Sequence, residues 1–314
     1  MPTPSILVAT WENGLFNVAG KTIHRELGRR PVRSLTGDGH GGVLAIVGGN
    51  SLYRRSAAGE WSAVVSSEFR LSCCVAAANA VFVGTDDARI LRVDGDGTQQ
   101  IMPGFDVVEG REKWYAGQAI VDGRVLGPPL GIRSMSATRD GAALLANVHV
   151  GGVPRSTDLG ATWHPTIDVD ADVHQVRAHP TRPELVIAAA AAGLCISRDA
   201  GKTWSIEDRG LHAAHCSGVA FGRNDIYVSA SVDPFSAQGA LYRRPIDGDV
   251  PLQPVGNGFP QWTEGKVDTD CIAAKDSVIA AIDMSGRLYV SRDDGCAWTP
   301  VDDHLPGPSG LYIC

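Results

Sequence analysis

The hydrophobic residues of this chain fall in short runs, which either alternate with polar residues or stay continuously apolar. Residues 42–47, 80–85 and 225–231 are three such runs, and Gly, Asp, Asn and Ser separate them from their neighbours. Runs of this kind, rich in Val and Ile and bounded by turn residues, predict β-strands. No long pattern with helical spacing interrupts them, so the sequence predicts an all-β protein.

One turn sequence occurs three times. It reads Ser-x-Asp-x-Gly-x-Thr-Trp and occupies 156–163, 197–204 and 291–298, with Ala297 at the Thr position of the third copy. Ser and Asp side chains bind backbone N–H groups in tight turns, Gly supplies a positive φ, and Trp offers a large apolar face for packing. We therefore interpret the fixed residues as structural: Ser156, Asp158, Gly160, Trp163, Ser197, Asp199, Gly201, Trp204, Ser291, Asp293, Gly295 and Trp298.

This pattern resembles the Asp-box, or BNR, repeat of sialidase-like, glycosyl-hydrolase-related β-propellers. The resemblance implies that the turns lie at the blade periphery, away from the ligand face, and that Asp158, Asp199 and Asp293 are neither catalytic nor calcium ligands. Seven-bladed Asp-box proteins such as the YCF48-like photosystem assembly factors are similar in blade number and repeat type. Repeats spaced by about 40 residues favour a propeller or a solenoid.

The spacing of the repeats gives the number of blades. Ser197 follows Ser156 by 41 residues and Ser291 follows Ser197 by 94, which leaves room for one blade without the motif. The sequence therefore predicts a single domain with the fold of a seven-bladed β-propeller of four-stranded antiparallel blades; six blades is the competing count, and an open solenoid is disfavoured. The predicted bounds are 1–30 plus 309–314, 31–68, 69–105, 132–170, 171–210, 211–264 and 265–308, with a long loop at 106–131.

The two ends of the chain complete one blade. The first 30 residues contain three predicted strands, and 310–314 form a lone strand. We predict that Leu311 to Ile313 pair beside the strand from Ile6 to Thr10, because this pairing hides edges that an open array would expose.

Composition limits the partners and the compartment. The net charge is −7 and no run of Lys and Arg exceeds two residues, which disfavours nucleic-acid binding. No apolar stretch is long enough for a membrane span, so no membrane insertion is expected. Seven cysteines, an odd number, and the lack of an export signal favour free thiols in a cytoplasmic protein, which we expect to be a monomer.

The segment 106–131 does not fit the strand pattern. It contains a charged cluster and two adjacent aromatic residues, Trp114 and Tyr115. Loops longer than about 15 residues are usually functional or disordered. Two interpretations stay open: these rings stack on a sugar or another planar ligand, or they plug the neighbouring blades.

Polar residues at the predicted inner strands and adjoining loops are candidates for ligand binding, because propellers commonly bind ligands at the mouth of the central channel. Asp172 and Asp233 lie close to His149, His174 and His215 in the predicted arrangement. The predicted ligand-binding residues are Arg33, Arg133, His149, His174, His215, Asp270, Trp114, Tyr115, Trp11 and Glu12.

Three functions compete for these residues, and whether the protein is an enzyme stays open. The leading interpretation is a binding protein for a small molecule, a glycan or a protein partner. The second is a metal-dependent enzyme in which His149, His174 and His215 hold a divalent metal such as zinc, copper or iron.

The third interpretation is a glycosidase-like hydrolase. Sialidases bind the substrate carboxylate with three arginines, and Arg33 and Arg133 could supply two of them. However, 30–33 lacks the Phe/Tyr-Arg-Ile-Pro motif, no third arginine or Tyr–Glu pair can be placed, and sialidases have six blades rather than seven.

Overall fold

A computed structural model describes residues 4–117, 119–121, 124–126 and 130–314. Parts of the predicted loop 106–131, including the Gly-Pro-Pro sequence at 127–129, lie outside the described residues, as does the start of the chain at 1–3.

The strands of the described chain are arranged in consecutive groups. The first groups are β1 (Ile6–Thr10), β2 (Leu15–Ala19) and β3 (Thr22–Leu27); β4 (Val32–Gly37), β5 (Val43–Val47), β6 (Ser51–Arg55) and β7 (Trp61–Ser66); and β8 (Leu71–Ala77), β9 (Ala80–Thr85), β10 (Ile90–Val93) and β11 (Gln99–Ile101). The next are the hairpin β12 (Ala119–Val121) and β13 (Arg124–Leu126); β14 (Ile132–Ala137), β15 (Leu144–Val148), β16 (Pro154–Ser156) and β17 (His164–Pro165); and β18 (Val173–Ala178), β19 (Val186–Ala190), β20 (Gly193–Ser197) and β21 (Ser205–Glu207). The last are β22 (His215–Phe221), β23 (Asp225–Ser231), β24 (Gln238–Pro245), β25 (Gln253–Pro254) and β26 (Thr263–Glu264); β27 (Ile272–Lys275), β28 (Val278–Ile282), β29 (Arg287–Ser291) and β30 (Thr299–His304); and β31 (Pro308–Ile313).

Sheet topology confirms the predicted fold class. Within the described residues, seven sheets follow the antiparallel meander of a propeller blade: β31-β1-β2-β3, β4 to β7, β8 to β11, β14 to β17, β18 to β21, β22 to β25 with β26 added beside β24, and β27 to β30. The protein is therefore a seven-bladed β-propeller with four-stranded antiparallel blades.

Burial within the sheets explains the hydrophobic pattern of the sequence. The second strands β5, β19 and β28 are Val-, Ile- and Ala-rich and buried at every position, which is why their sequences are continuously apolar. The last strands β3 and β11 are largely exposed and mostly polar. Each sheet thus changes from fully buried strands to a solvated edge.

Two compact units are present, namely Met1–Leu35, Ala189–Leu194 and Ile206–Cys314 (unit 1), and Thr36–Ala188 and Cys195–Ser205 (unit 2). The core of unit 1 includes Tyr227, Ile279 and Leu288. The core of unit 2 includes a cluster around Phe82, Phe105 and Trp163 and another around Leu44, Ile46 and Leu52.

The last strand completes the first sheet, as predicted. β31 is antiparallel to β1, with Ile313 opposite Ile6 and Leu311 opposite Val8. The amide of Cys314 donates to the carbonyl oxygen of Ser5 at 2.9 Å. Leu311 and Ile313 are buried, so this pairing buries apolar side chains and also satisfies the edge of β1.

The three repeated turns share one hydrogen-bond pattern. In each copy the Ser hydroxyl donates to the Asp carboxylate at 2.8 Å and accepts from the Gly amide at 2.8–2.9 Å. The residue before the Gly and the Gly itself both have a positive φ, for example 56° at Leu159 and 87° at Gly160. These bonds account for the Ser, Asp and Gly of the motif through local structure.

The segment after β11 leaves the blade pattern and enters the core of unit 2. It forms two short 3-10 helices, Pro103–Val107 and Arg111–Lys113, before the hairpin of β12 and β13. Phe105 packs against Trp163 with their ring centroids 5.1 Å apart. No helix in the described part of the chain has the length and apolar character needed to cross a membrane.

Candidate functional site

Two polar side chains of β14 and β15 bind β18 and bring His149 close to His174. Asn147 of β15 donates from Nδ2 to the carbonyl oxygen of Val173 at 2.6 Å, and the amide of Val176 donates to the hydroxyl of Ser134 at 2.9 Å. Both pairs are buried, so little water competes for these bonds. They place His174, on β18, beside His149, which directly follows β15.

Asp172 reaches the same place through an unusual backbone conformation. It ends a 3-10 turn, Val169–Ala171, with φ 48° and ψ 73°, and its amide donates to the carbonyl oxygen of Val169 at 3.1 Å. Among residues with a β-carbon, Asp and Asn tolerate the left-handed region best. This turn directs the chain into β18 with Asp172 two residues before His174.

The three side chains form a compact cluster in unit 2. Nε2 of His174 lies 3.5 Å from Oδ2 of Asp172, and Nε2 of His149 lies 3.9 Å from Oδ1. The imidazole centroids are 6.0 Å apart, and both histidines are about 5% exposed. Oδ1 of Asp172 is buried and accepts no hydrogen bond from the described residues. A buried carboxylate oxygen without such a bond is costly, which makes it a natural point of attachment for a cation.

Arg133 adds positive charge next to this cluster. It occupies a register shift between β14 and β15, where Ile132 pairs with Val148 and Ser134 with Asn147, so Arg133 is the extra residue of a β-bulge. Burial raises the pKa of Asp172, but interactions with His174, His149 and Arg133 outweigh it and hold the pKa below the ordinary value of 3.8. Asp172 is therefore a carboxylate at neutral pH.

The donor set suits a divalent transition metal. One ligand atom from each of His149, Asp172 and His174 can be chosen so that all lie within 4.8 Å of one another. Metal–nitrogen and metal–oxygen bonds of about 2.0–2.2 Å at tetrahedral angles place ligand atoms about 3.3–3.6 Å apart, so the side chains would close on a metal by up to about 1.5 Å. Two imidazoles and one carboxylate occur in zinc sites and in non-haem iron sites, with positions left for water or a ligand.

The predicted aromatic residues of the segment differ in their surroundings. Trp114 is 7% exposed; its ring lies 5.6 Å from Phe105, and the guanidinium of Arg111 lies 4.9 Å from it. Trp114 therefore packs in the core of unit 2. Tyr115 is 56% exposed and is held by its amide, which donates to the carbonyl oxygen of Val150 at 3.2 Å.

The remaining predicted ligand-binding residues belong to unit 1. His215 begins β22 and is buried, and Asp270 has a positive φ and accepts from the amide of Leu311 at 2.8 Å through its carbonyl oxygen. Arg33 is half-buried on β4, whereas Trp11 and Glu12 are exposed in the loop after β1. The structure thus brings His149 and His174 together, with Arg133 nearby. It also adds Asp172 to the site. In the sequence, the signal for Asp172 was its position two residues before His174, next to a buried strand.

Comparisons with known proteins agree on the fold. No protein-family model matches the chain, and no curated protein matches it. Solved structures that are similar include a YCF48 protein bound to a D1 peptide (12% identity, 100% of this chain and 96% of that chain, TM-score 0.60) and the computationally designed Ika8 protein (11% identity, 98% and 85%, TM-score 0.56). A GH74 xyloglucanase from Xanthomonas campestris is 18% identical with a TM-score of 0.53; the match covers 86% of this chain and 46% of that one. At these identities the likeness shows the propeller fold alone.

Proposed function

We propose that this propeller is a binding protein whose site is the cluster of His149, Asp172 and His174, and that the site takes a divalent transition metal. The observation that carries the proposal is the buried Oδ1 of Asp172, which receives no hydrogen bond from the described chain, in a carboxylate whose two oxygens lie near two buried imidazoles. The donor set keeps two histidines of the sequence-based metal hypothesis and takes Asp172 as its third member.

The metal would use positions that three protein donors leave open. A four-coordinate zinc ion with three protein ligands keeps one position for water or for an oxygen or nitrogen atom of a bound molecule. A small molecule, a glycan or a side chain of a partner protein could provide that atom. A binding role therefore requires only the three metal donors and the open coordination position, and no catalytic group.

Zinc titration by isothermal calorimetry tests the proposal. We expect the metal-free wild-type protein to bind one Zn²⁺, and His174→Ala, His149→Ala and Asp172→Asn to weaken binding at least about tenfold, because each removes one donor. His164→Ala is the matched control, since His164 is an exposed histidine of the same unit on β17. Zinc binding that survives all three cluster substitutions, or that depends equally on His164, would contradict the proposal.

A further inference from the structure

The main-chain amide of Gly117 is bonded to one ring nitrogen of His149, and the other ring nitrogen lies 3.9 Å from Asp172. The amide N–H of Gly117 donates to Nδ1 of His149 at 3.2 Å. Nδ1 must therefore carry a lone pair, and in the neutral imidazole the proton is on Nε2, which faces Asp172. In this state Nε2 is a donor and has no lone pair for a metal.

Metal binding requires the opposite tautomer. A neutral imidazole that ligates through Nε2 carries its proton on Nδ1. Nδ1–H and the N–H of Gly117 would then be two donors pointing at each other across a hydrogen-bond distance. One of them has to move, and Gly117 lies in the loop segment whereas His149 directly follows β15.

We propose that metal binding at His149 and the hydrogen bond from Gly117 exclude each other, so that the metal releases the end of the segment Trp114–Gly117, at 116–117, from the site. This inference rests on the proposed metal site and assigns it a regulatory consequence. His149 exchanges one tautomer for the other, so its own net charge does not change. The proton moves from Nε2 to Nδ1, and as a result the segment loses its hydrogen bond to His149.

The contacts of the segment define which part can be released. Trp114 is anchored among Phe105 and Arg111, and the amide of Tyr115 is bonded to Val150. Movement therefore begins after Tyr115, at 116–117. At Gly117 the chain passes very close to the ring: a β-carbon there would lie 1.9 Å from Cε1 of His149. Only glycine permits this approach, which makes the contact specific to this residue.

Coupling of this kind is reciprocal. If metal weakens the contact of the segment, then a molecule that draws the segment away from His149 must raise the affinity of the site for metal. The exposed ring of Tyr115 is the accessible part of the segment for such a molecule.

Hydrogen–deuterium exchange of the wild-type protein, with and without saturating Zn²⁺, tests the inference. We expect the Gly117 amide to exchange about fivefold faster or more with zinc, since it loses its acceptor, while the amides around His174 exchange more slowly. His149 provides a second measurement: the nitrogen-15 resonance of Nδ1 should change from that of an unprotonated to that of a protonated ring nitrogen.

Variants separate this inference from the metal site itself. At a zinc concentration that only just saturates the wild type, Asp172→Asn should reduce the effect of zinc on Gly117, because this variant binds the metal more weakly. Gly117→Ala should remove the effect of zinc on amide exchange at this position, since its β-carbon cannot fit against the His149 ring and the contact is already broken without metal. Zinc binding that leaves exchange at Gly117 unchanged or slower overturns this inference alone. Failure of the wild-type protein to bind zinc overturns the proposed function as well.

Discussion

Thr162 and Asp158 are joined by two hydrogen bonds to opposite oxygens of one carboxylate. The amide of Thr162 donates to Oδ1 at 2.8 Å and its hydroxyl donates to Oδ2 at 2.6 Å. Thr203 and Asp199 repeat this arrangement at 2.9 and 2.7 Å. In the third copy the amide of Ala297 donates to Asp293 at 2.9 Å, and the methyl group cannot supply the second bond.

Replacing Ala297 by Thr should restore the second bond in the third turn. We expect Ala297→Thr to stabilise the protein by about 0.5–1 kcal/mol, the net value of one hydrogen bond, and thermal denaturation measures it. Ala297→Val is the matched control, because Val has the shape of Thr without its hydroxyl. If Val raises the melting temperature as much as Thr, the gain comes from strand propensity and the hydrogen-bond argument is wrong.

The same carboxylates predict how stability depends on acid. Burial raises the pKa of Asp158 and Asp199, but their hydrogen bonds outweigh it and lower both to about 2, from 3.8 for an ordinary Asp. A pKa lowered by folding stabilises the native state above the unfolded-state value and loses that contribution as pH falls. The loss is therefore expected between about pH 4 and pH 2.

Asp199→Asn should reduce this loss of stability in acid. We expect its unfolding free energy, from urea titrations at several pH values, to vary less between pH 4 and pH 2 than that of the wild type. Asp208→Asn, at an exposed position outside the turn, is the comparison. If the unfolding free energy of Asp199→Asn falls between pH 4 and pH 2 as steeply as that of the wild type, the turn carboxylate does not cause the loss.

Leu159 lies where a left-handed backbone is required. Its φ is 56°, which costs a residue with a β-carbon roughly 1–2 kcal/mol, and Asn tolerates this region better. We expect Leu159→Asn to be more stable than Leu159→Ala by about 0.5–1 kcal/mol in chemical denaturation. The Ala variant removes the side chain while keeping the backbone cost, so equal stabilities of the two variants would refute the strain argument.

Removal of 309–314 should sharply destabilise unit 1. The deletion removes most of β31, exposes the edge of β1 and takes the buried Leu311 and Ile313 out of the core. We expect a loss of at least about 3 kcal/mol or failure to fold, measured by thermal denaturation. Deletion of Cys314 alone is the control, because it removes only the last hydrogen bond of this pairing and leaves β31 in place. An unchanged melting temperature after the longer deletion would contradict the importance of the closing strand.

Arg133 should oppose cation binding at the proposed site. Its charge interacts with Asp172, so Arg133→Gln should tighten zinc binding about threefold to tenfold, and the gain should shrink as salt is added. Arg139→Gln, at an exposed position after β14, is the control for net charge. Weaker zinc binding in Arg133→Gln would mean that Arg133 supports the site, for example by holding an anion beside the metal.

The parts of this structure that the sequence predicts are those that depend on local patterns. Buried second strands such as β5 read as apolar runs, and the Ser, Asp and Gly of the turns bond to their own turn. The pairing of β31 with β1 followed from counting strands in a repeat.

The candidate site was only partly predictable because it depends on contacts that no local pattern encodes. His149 and His174 were predicted together, but the left-handed turn that brings Asp172 to them could not be read from an Asp before a strand. The approach of Gly117 to His149 depends on how an irregular segment passes over β15 and on a ring tautomer, and neither leaves a trace in the order of residues.

The closing pair of strands also sets the timing of folding. Ile6 of β1 pairs with Ile313 of β31, which lies 307 residues further along the chain, so the pairing cannot form until that residue has been synthesised. At synthesis rates of about 5–20 residues per second, the edge of β1 stays open for roughly 15–60 s on the ribosome. During that time its unpaired N–H and C=O groups can pair with the same edge of another nascent chain. Production of the soluble protein should therefore depend on chaperones that cover this edge, and more strongly where polysomes are dense.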